Sequence, residues 1–257
     1  MGKAKDILLR PIDAKTANDL VRRVHYSGKI VQNSQLHIGV FYDGRLEGAM
    51  QFGPSLDKRK IQVLVSGTQW HEFVELNRMA FTDNLPRNSE SRAIAVAMRI
   101  LRKHAPQLKW VVTFADGVQC GDGTIYRAAG FVLTGVREGE AILRLPSGEV
   151  RHRIALHTNS KIVAAMGGKM ASVPKMAQFL NAEMMPGFMM RYIYFLDPSY
   201  RQRLTVPELP YSEIERQGAG MYKGEKRAGV VQTVEHGLQS ETALQGDPPA
   251  PETVLTV

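Results

Sequence analysis

The sequence predicts an α/β fold, a mixed central sheet flanked by helices with a C-terminal extension. Three observations carry that prediction. Over residues 73–138, apolar and polar runs alternate as strand, loop, helix, strand, short helix and strand, the pattern of a sheet with crossover helices. Two apolar runs within residues 37–53 flank Asp43-Gly44, the dipeptide that a tight hairpin turn favours. Residues 90–104, ESRAIAVAMRILRKH, place Ala93, Ile94, Ala97, Met98 and Leu101 on one helical face and Arg92, Arg99, Arg102 and Lys103 away from it.

The other elements follow in chain order. DILLRPI at 6–12 reads as a strand. Residues 14–24 read as a helix, with Ala17, Leu20, Val21 and Val24 at helical spacing behind an N-cap at Asp13. FVELNRMAF at 73–81 reads as a strand by its β-branched and aromatic content, with helix kept as the alternative. A loop rich in Asn, Ser and Pro at 83–91 opens onto the helix at 90–104, which Pro106 stops. WVVTFAD at 110–116 is a buried strand ending in an acid. Residues 121–130 are a short helix closed by Gly130, 131–138 a strand, and 141–156 a hairpin turning at Ser147-Gly148. The Met- and Ala-rich residues 158–186 read as helical, their methionines as adaptable packing. RYIYFLD at 191–197 reads as the last strand.

Composition narrows the class. Hydrophobic residues make up 44% of the 257 and charged residues 23%, which excludes a wholly disordered chain. No apolar run approaches the roughly 20 residues that span a bilayer, so no membrane partner is expected. The first residues, MGKAKDILLRPID, lack the apolar core of a signal peptide. Cys120 is the only cysteine, which excludes an intrachain disulfide or a four-cysteine zinc site; it reads as incidental, and the expected location is a reducing cytoplasm. Net charge is +8, but residues 229–257 hold no Lys or Arg and four acids, Glu235, Glu241, Asp247 and Glu252, leaving +12 on residues 1–228. Residues 229–257 read as a disordered acidic tail and 1–228 as the folded domain. An excess of that size points to a polyanionic partner, either nucleic acid or a phosphate-rich cofactor. The competing reading of the charge is a basic surface with no such partner.

Several residues are candidates for chemistry. Arg87, Asn88 and Ser89 would line the start of the helix at 90–104, where unpaired N–H groups and the helix dipole suit a pyrophosphate; plain helix capping is the alternative. The glycine spacing of a P-loop is missing there. Asp116 ends a buried strand, the edge at which open α/β sheets bind ligands. It is a base or metal ligand by one reading and a turn-capping carboxylate by the other. Tyr126 is a candidate acid or positioning group. His25, in HYSG at 25–28, suits proton transfer or metal binding. Glu75, Asn77 and Arg78 are polar residues on an otherwise apolar strand and call for partners.

Read together, ELNRMAF, the polar loop and Arg/Ala-rich helix, WVVTFAD and GTIYRAAGFVLTG resemble the core of the GNAT superfamily of N-acetyltransferases. More closely, HYSG at 25–28, FVELNRMAF at 73–81, the Asn/Ser loop at 84–91, FADG at 114–117, IYRAAGF at 125–131 and RYIYFLD…RLTVP…GAGMYKGEKRA within 191–228 resemble the Mom family of phage and prophage DNA-modification proteins, over roughly residues 7–228. The resemblance implies a GNAT-like sheet in which a pair of strands splays to admit a cofactor arm. It implies conversion of adenine in double-stranded DNA to N6-carbamoylmethyladenine, as an anti-restriction device in the host bacterial cytoplasm. The family's functional residues fall on His25, Tyr26, Arg78, Ser91, Asp116 and Tyr126. The implied cofactors are acetyl-CoA or a related acyl donor held at Arg87, Asn88, Ser89 and Ser91, and iron on His25, Tyr26 and Asp116. The glycine-rich pyrophosphate loop of ordinary acetyltransferases is replaced here by Arg87-Asn88-Ser89-Glu90-Ser91.

DNA binding by the +12 body makes Arg22, Arg23, Lys58, Arg59, Lys60, Arg151 and Arg153 candidate phosphate contacts. Reaching adenine N6 in a duplex requires extruding the base against an aromatic ring, for which Tyr26 and Tyr126 are the candidates. Two other functions compete: an ordinary acetyl-CoA-dependent N-acetyltransferase on a small amine or protein, and a DNA-binding module without chemistry. The oligomeric state stays open, a dimer included.

Overall fold

The computed structural model describes residues 3–117, 121–152, 156–157, 159–168, 171–219, 221–222 and 225–226. All of these belong to one compact unit. The tail at 229–257, Cys120 and Arg153 lie outside the described residues.

The first strand, β1 (Leu8–Pro11), leads through Asp13 into helix α1 (Ala14–Val24). Asp13 caps that helix: its carboxylate accepts from the Thr16 N–H at 2.9 Å. Strands β2 (Leu36–Tyr42) and β3 (Arg45–Gly53) form the expected hairpin. Asp43 and Gly44 both take positive φ, 48° and 75°, which matches the right-handed twist of the strands they join. A long loop carrying the short helix α2 (Lys58–Gln62) then reaches β4 (Phe73–Phe81). Helix α3 (Ser89–His104), strand β5 (Trp110–Asp116) and helix α4 (Thr124–Ala128) follow where the spacing places them.

The strand order is β1-β2-β3-β4-β5-β8-β6-β7, where β6 is Val132–Arg144, β7 Val150–His152 and β8 Glu183–Phe195. Of these pairings only β4–β5 is parallel. Two expectations are corrected here. The strands predicted at 131–138 and after 141 are one bulged strand, β6, whose register slips between Gly139 and Ile142. The Met-rich stretch read as helical to 186 forms two short helices, α5 (Ser160–Ala165) and α6 (Val173–Leu180), and turns to strand at Glu183. β8 lies between β5 and β6 and pairs with both, so backbone pairing on its two sides outweighs the weak strand preference of its methionines.

α1 and α3 bury their apolar stripes in different clusters. Ala17 and Leu20 pack with Ala49, whereas Ala93, Ile94, Ala97, Met98 and Leu101 pack with Phe52, Leu76 and Val111. Among the described residues, no helix is long and apolar enough to cross a membrane.

Candidate functional site

β4 and β5 pair only over Phe73–Glu75 and Trp110–Val112. Beyond that point they part, as the resemblance implies. A further irregularity lies on the other edge of β4, where Phe52 pairs with Leu76 but Gln51 pairs with Arg78, leaving Asn77 as an extra residue in the ladder. The bulge brings Leu76–Phe81 to one wall of a cavity of about 500 Å³. The end of α1 supplies His25 and Tyr26 to the same cavity, β5 supplies Phe114 and Ala115, and the segment 121–126 supplies Asp122 and Tyr126. Four of the expected residues, His25, Tyr26, Arg78 and Tyr126, are therefore brought together from elements far apart in sequence.

Local contacts fix each of them. The Arg78 guanidinium donates from Nε to the Lys29 carbonyl at 3.1 Å and from Nη1 to the Asn77 carbonyl at 2.8 Å. Asn77 in turn accepts from the Ser34 hydroxyl at 3.1 Å. Gly53 permits this approach, because a Cβ there would stand 2.6 Å from the Asn33 carbonyl and 2.8 Å from Asn77 Oδ1. Tyr126 is buried, with its ring centroid 5.7 Å from Phe131 and 5.5 Å from Tyr192. Gly123 starts its helix at φ +74°, and a Cβ there would meet the Tyr192 ring at 2.5 Å.

His25 is held in one tautomer. The Ser27 N–H donates to its Nδ1 at 3.1 Å, and the Ser27 hydroxyl, which accepts from the Lys29 N–H, stands 2.8 Å from the same nitrogen. Nδ1 therefore carries the lone pair, and the proton of the neutral ring sits on Nε2. Burial, and secondarily the Arg78 charge, push the His25 pKa down to about 4. At neutral pH the ring is uncharged, with Nε2 as its donor. Tyr26, which is 52% exposed, packs its ring 4.2 Å from that of His25 at the cavity mouth.

Asp116 is buried at the end of β5, next to the lining residue Ala115, and does not itself line the cavity. The lining adds two acids that sequence reasoning passed over, Glu90 and Asp122. Both carry the signature of a helix start: Glu90 lies in the first turn of α3, and the Asp122 carboxylate accepts from the Thr124 N–H at 3.0 Å. The carboxyl of Glu75, on the paired part of β4, is pushed up by burial, opposed by Ser55, Asn77 and Arg78 nearby.

Among the described residues, no group of three or more His, Cys, Asp or Glu side chains could hold a metal ion.

A second cavity, of about 430 Å³, lies at the start of α3 and is lined by Lys5, Arg87, Asn88, Ser91, Arg92 and Arg99, without an acid. Asn88 explains how a loop without glycine makes this turn: it stands at the N-cap with φ 69°, a conformation asparagine tolerates better than most residues, and its side chain does not cap the helix. Ser89, expected beside it, is fully buried and lines neither cavity, because its place in the first turn faces the core. Glu47 on β3 anchors the approach to this loop, accepting from the Thr82 hydroxyl and from the Asn84 amide at 3.1 Å. Those bonds hold its carboxyl below the usual range.

The comparison with known proteins decides the family. The sequence matches the profile of the Mom protein family over residues 6–213. This chain belongs to the Mom family. It is 35% identical over 208 residues to the methylcarbamoylase mom of Escherichia phage Mu, an alignment that covers 79% of this chain and 80% of the relative. Solved structures similar to this Mom-family chain include a GNAT family acetyltransferase from Elizabethkingia anophelis with acetyl-CoA bound, 14% identical, covering 74% of this chain and 98% of that one with a TM-score of 0.42. Another is the ribosomal-protein-S18-alanine N-acetyltransferase from Escherichia coli, 9% identical, covering 74% and 94% with a TM-score of 0.41.

Of the seven basic residues expected on DNA phosphates, three are in ion pairs: Arg22 with Asp19 at 2.9 Å, Lys60 with Asp57 at 2.8 Å and Arg151 with Glu149 at 2.5 Å. Arg23, Lys58 and Arg59 form no ion pair among the described residues.

Proposed function

We propose that this chain is a DNA-modifying transferase that converts adenine in double-stranded DNA to N6-carbamoylmethyladenine, shielding phage or prophage DNA from host restriction. The observation that carries the reading is the meeting of His25, Tyr26, Arg78 and Tyr126 around one cavity at the splayed strands of a Mom-family chain.

Adenine N6 is out of reach inside the stack, so the base must be extruded. The half-exposed Tyr26 stands where an extruded base would first meet the protein, and Tyr126 forms the inner wall. Arg78, held at two points, offers its remaining N–H groups to the carbonyl oxygen of the transferred group, and His25 Nε2–H can add a donor there. The proton that leaves N6 goes to a carboxylate at this edge, either Asp116, as the resemblance implies, or one of the lining acids Glu90 and Asp122.

The basic groove of Lys5, Arg87, Arg92 and Arg99 suits the phosphates of a small-molecule donor of the acyl-CoA type. Such a donor would supply the group activated at its methylene carbon: N6 forms the new N–C bond there while the donor's leaving group departs with the bonding electron pair. Acyl transfer from a thioester would instead leave an amide on N6 and not a carbamoylmethyl group. Glu90 faces the reaction cavity while Ser91 faces the groove, so the first turn of α3 separates the anionic end of a donor from its reactive end.

Nucleoside mass spectrometry on plasmid DNA from a host expressing the chain tests this reading. The expected result is a carbamoylmethyl-sized mass gain on deoxyadenosine, diminished in Arg78→Ala and Tyr126→Ala, with Asp116→Asn, Glu90→Gln and Asp122→Asn compared to find the proton acceptor. Unmodified DNA from folded protein, with acetyl-CoA turnover on amines in the absence of DNA, would favour an ordinary N-acetyltransferase instead.

A further inference from the structure

The loop that carries α2 between β3 and β4 borders a third cavity, of about 890 Å³, that the proposed chemistry does not use. Its lining includes Leu56, Lys58, Arg59, Trp70 and Phe73. It opens at the first residues of β4, whereas the reaction cavity spans Leu76–Phe81. At roughly 3.3 Å per residue, the centres of those two stretches lie about 16 Å apart along the strand, which is about five nucleotides of one DNA strand.

Its surface is unusual in three respects. Trp70 is 51% exposed and Leu56 97% exposed, although both residue types are normally buried to a large degree. The Lys58 ammonium lies 4.5 Å over the Trp70 ring and 5.1 Å over the Phe73 ring. Asp57, which also lines the cavity, pairs with Lys60 at 2.8 Å, and neither Lys58 nor Arg59 is in an ion pair among the described residues. An exposed indole, two cations outside any ion pair and a cavity of about 890 Å³ are complementary to a nucleic-acid strand, with the cations on phosphate and the ring on a base. An acidic protein surface would satisfy the cations but would leave the indole without the flat partner it presents to solvent.

We propose that this cavity is a second DNA contact, in which a nucleotide outside the reaction cavity places its base against Trp70 and its flanking phosphates on Lys58 and Arg59. The proposal rests on DNA being the substrate. It gives the enzyme a hold on the strand that is separate from the extruded adenine.

The test is a fluorescence titration of the full chain with a short adenine-containing duplex, repeated across salt concentrations. Trp110, the other tryptophan, is buried and stacked on Phe73, so quenching by bases reports on Trp70. Bound DNA quenches the emission, Trp70→Ala abolishes the quench and weakens binding by roughly 10-fold, and Lys58→Gln with Arg59→Gln lowers the salt slope by about 2. Arg78→Ala leaves both the quench and the slope in place. No quench on binding, or unchanged affinity in a Trp70→Ala chain that circular dichroism finds folded, overturns the proposal. The deoxyadenosine mass measurement separates the two readings: modified adenine without a quench removes this contact and keeps the function, whereas a quench without modified adenine keeps the contact and removes the function.

Discussion

At its start, β4 pairs in parallel with β5, and the Phe73 ring stacks on Trp110 at 4.6 Å with an interplanar angle of 6°. From Leu76 onward the two strands no longer pair, Asn77 bulges out of the ladder with β3, and Arg78 reaches across to the Lys29 carbonyl. Within nine residues the strand passes from regular pairing over a dry core to an irregular edge where polar groups gather. The contrast shows where the sheet leaves room for chemistry. The paired end sets the spacing of the strands, and the unpaired end opens the cavity into which that spacing delivers side chains.

Substitutions at the two ends should therefore fail in different ways. The largest effect is expected at the paired end. Trp110→Ala removes a fully buried ring and should cost about 3–5 kcal/mol of stability, read by denaturant unfolding. Gly53→Ala sits at the junction, where the new Cβ would meet backbone at Asn33 and Ser34. It should cost about 1–3 kcal/mol and displace Asn77, so that DNA modification falls further than stability alone accounts for.

At the unpaired end, Arg78→Lys keeps the charge but loses the two-point hold on the Lys29 and Asn77 carbonyls. It should lower the modification rate by about tenfold while the unfolding midpoint stays near wild type. A further effect is a pH dependence. His25 has a folded pKa of about 4, below its ordinary 6.5. Between those values the unfolded chain binds the proton and the folded chain does not, so stability rises with pH across that window and is lost as pH falls from 6.5 toward 4. Unfolding measured against pH in wild type and His25→Asn should show a steeper slope in the wild type, since the buried His37, whose pKa is also lowered, contributes to both chains.

Much of the sheet was legible in sequence because its signals are local. Asp13 before an amphipathic run, Asp43-Gly44 between apolar runs, and the acid closing WVVTFAD each mark an element boundary by short-range chemistry. The insertion of β8 between β5 and β6 was not legible, since it is a pairing across about 40 to 85 residues of chain, and Glu183–Met190 lacks strand alternation and holds Pro186-Gly187, a dipeptide that reads as a turn. The site shows the same division. His25, Tyr26, Arg78 and Tyr126 could be singled out from motif and position. Whether a side chain lines the cavity depends on the rotation of its element, which is why Ser89 turned inward and Asp116 lies beside the lining. Glu90 and Asp122 were masked by their resemblance to ordinary helix starts.

The central claim is that chemistry belongs to the unpaired end of β4. Its most direct test is the fraction of deoxyadenosine carrying a carbamoylmethyl-sized mass gain in plasmid DNA from cells expressing wild type or Arg78→Ala at equal levels of folded protein. The account predicts modified adenine with the wild type and a fall of about 10–100-fold in the variant, the loss expected when a charge-assisted hydrogen bond to the amide oxygen of the transferred group is removed. Equal modification by the two chains would contradict it.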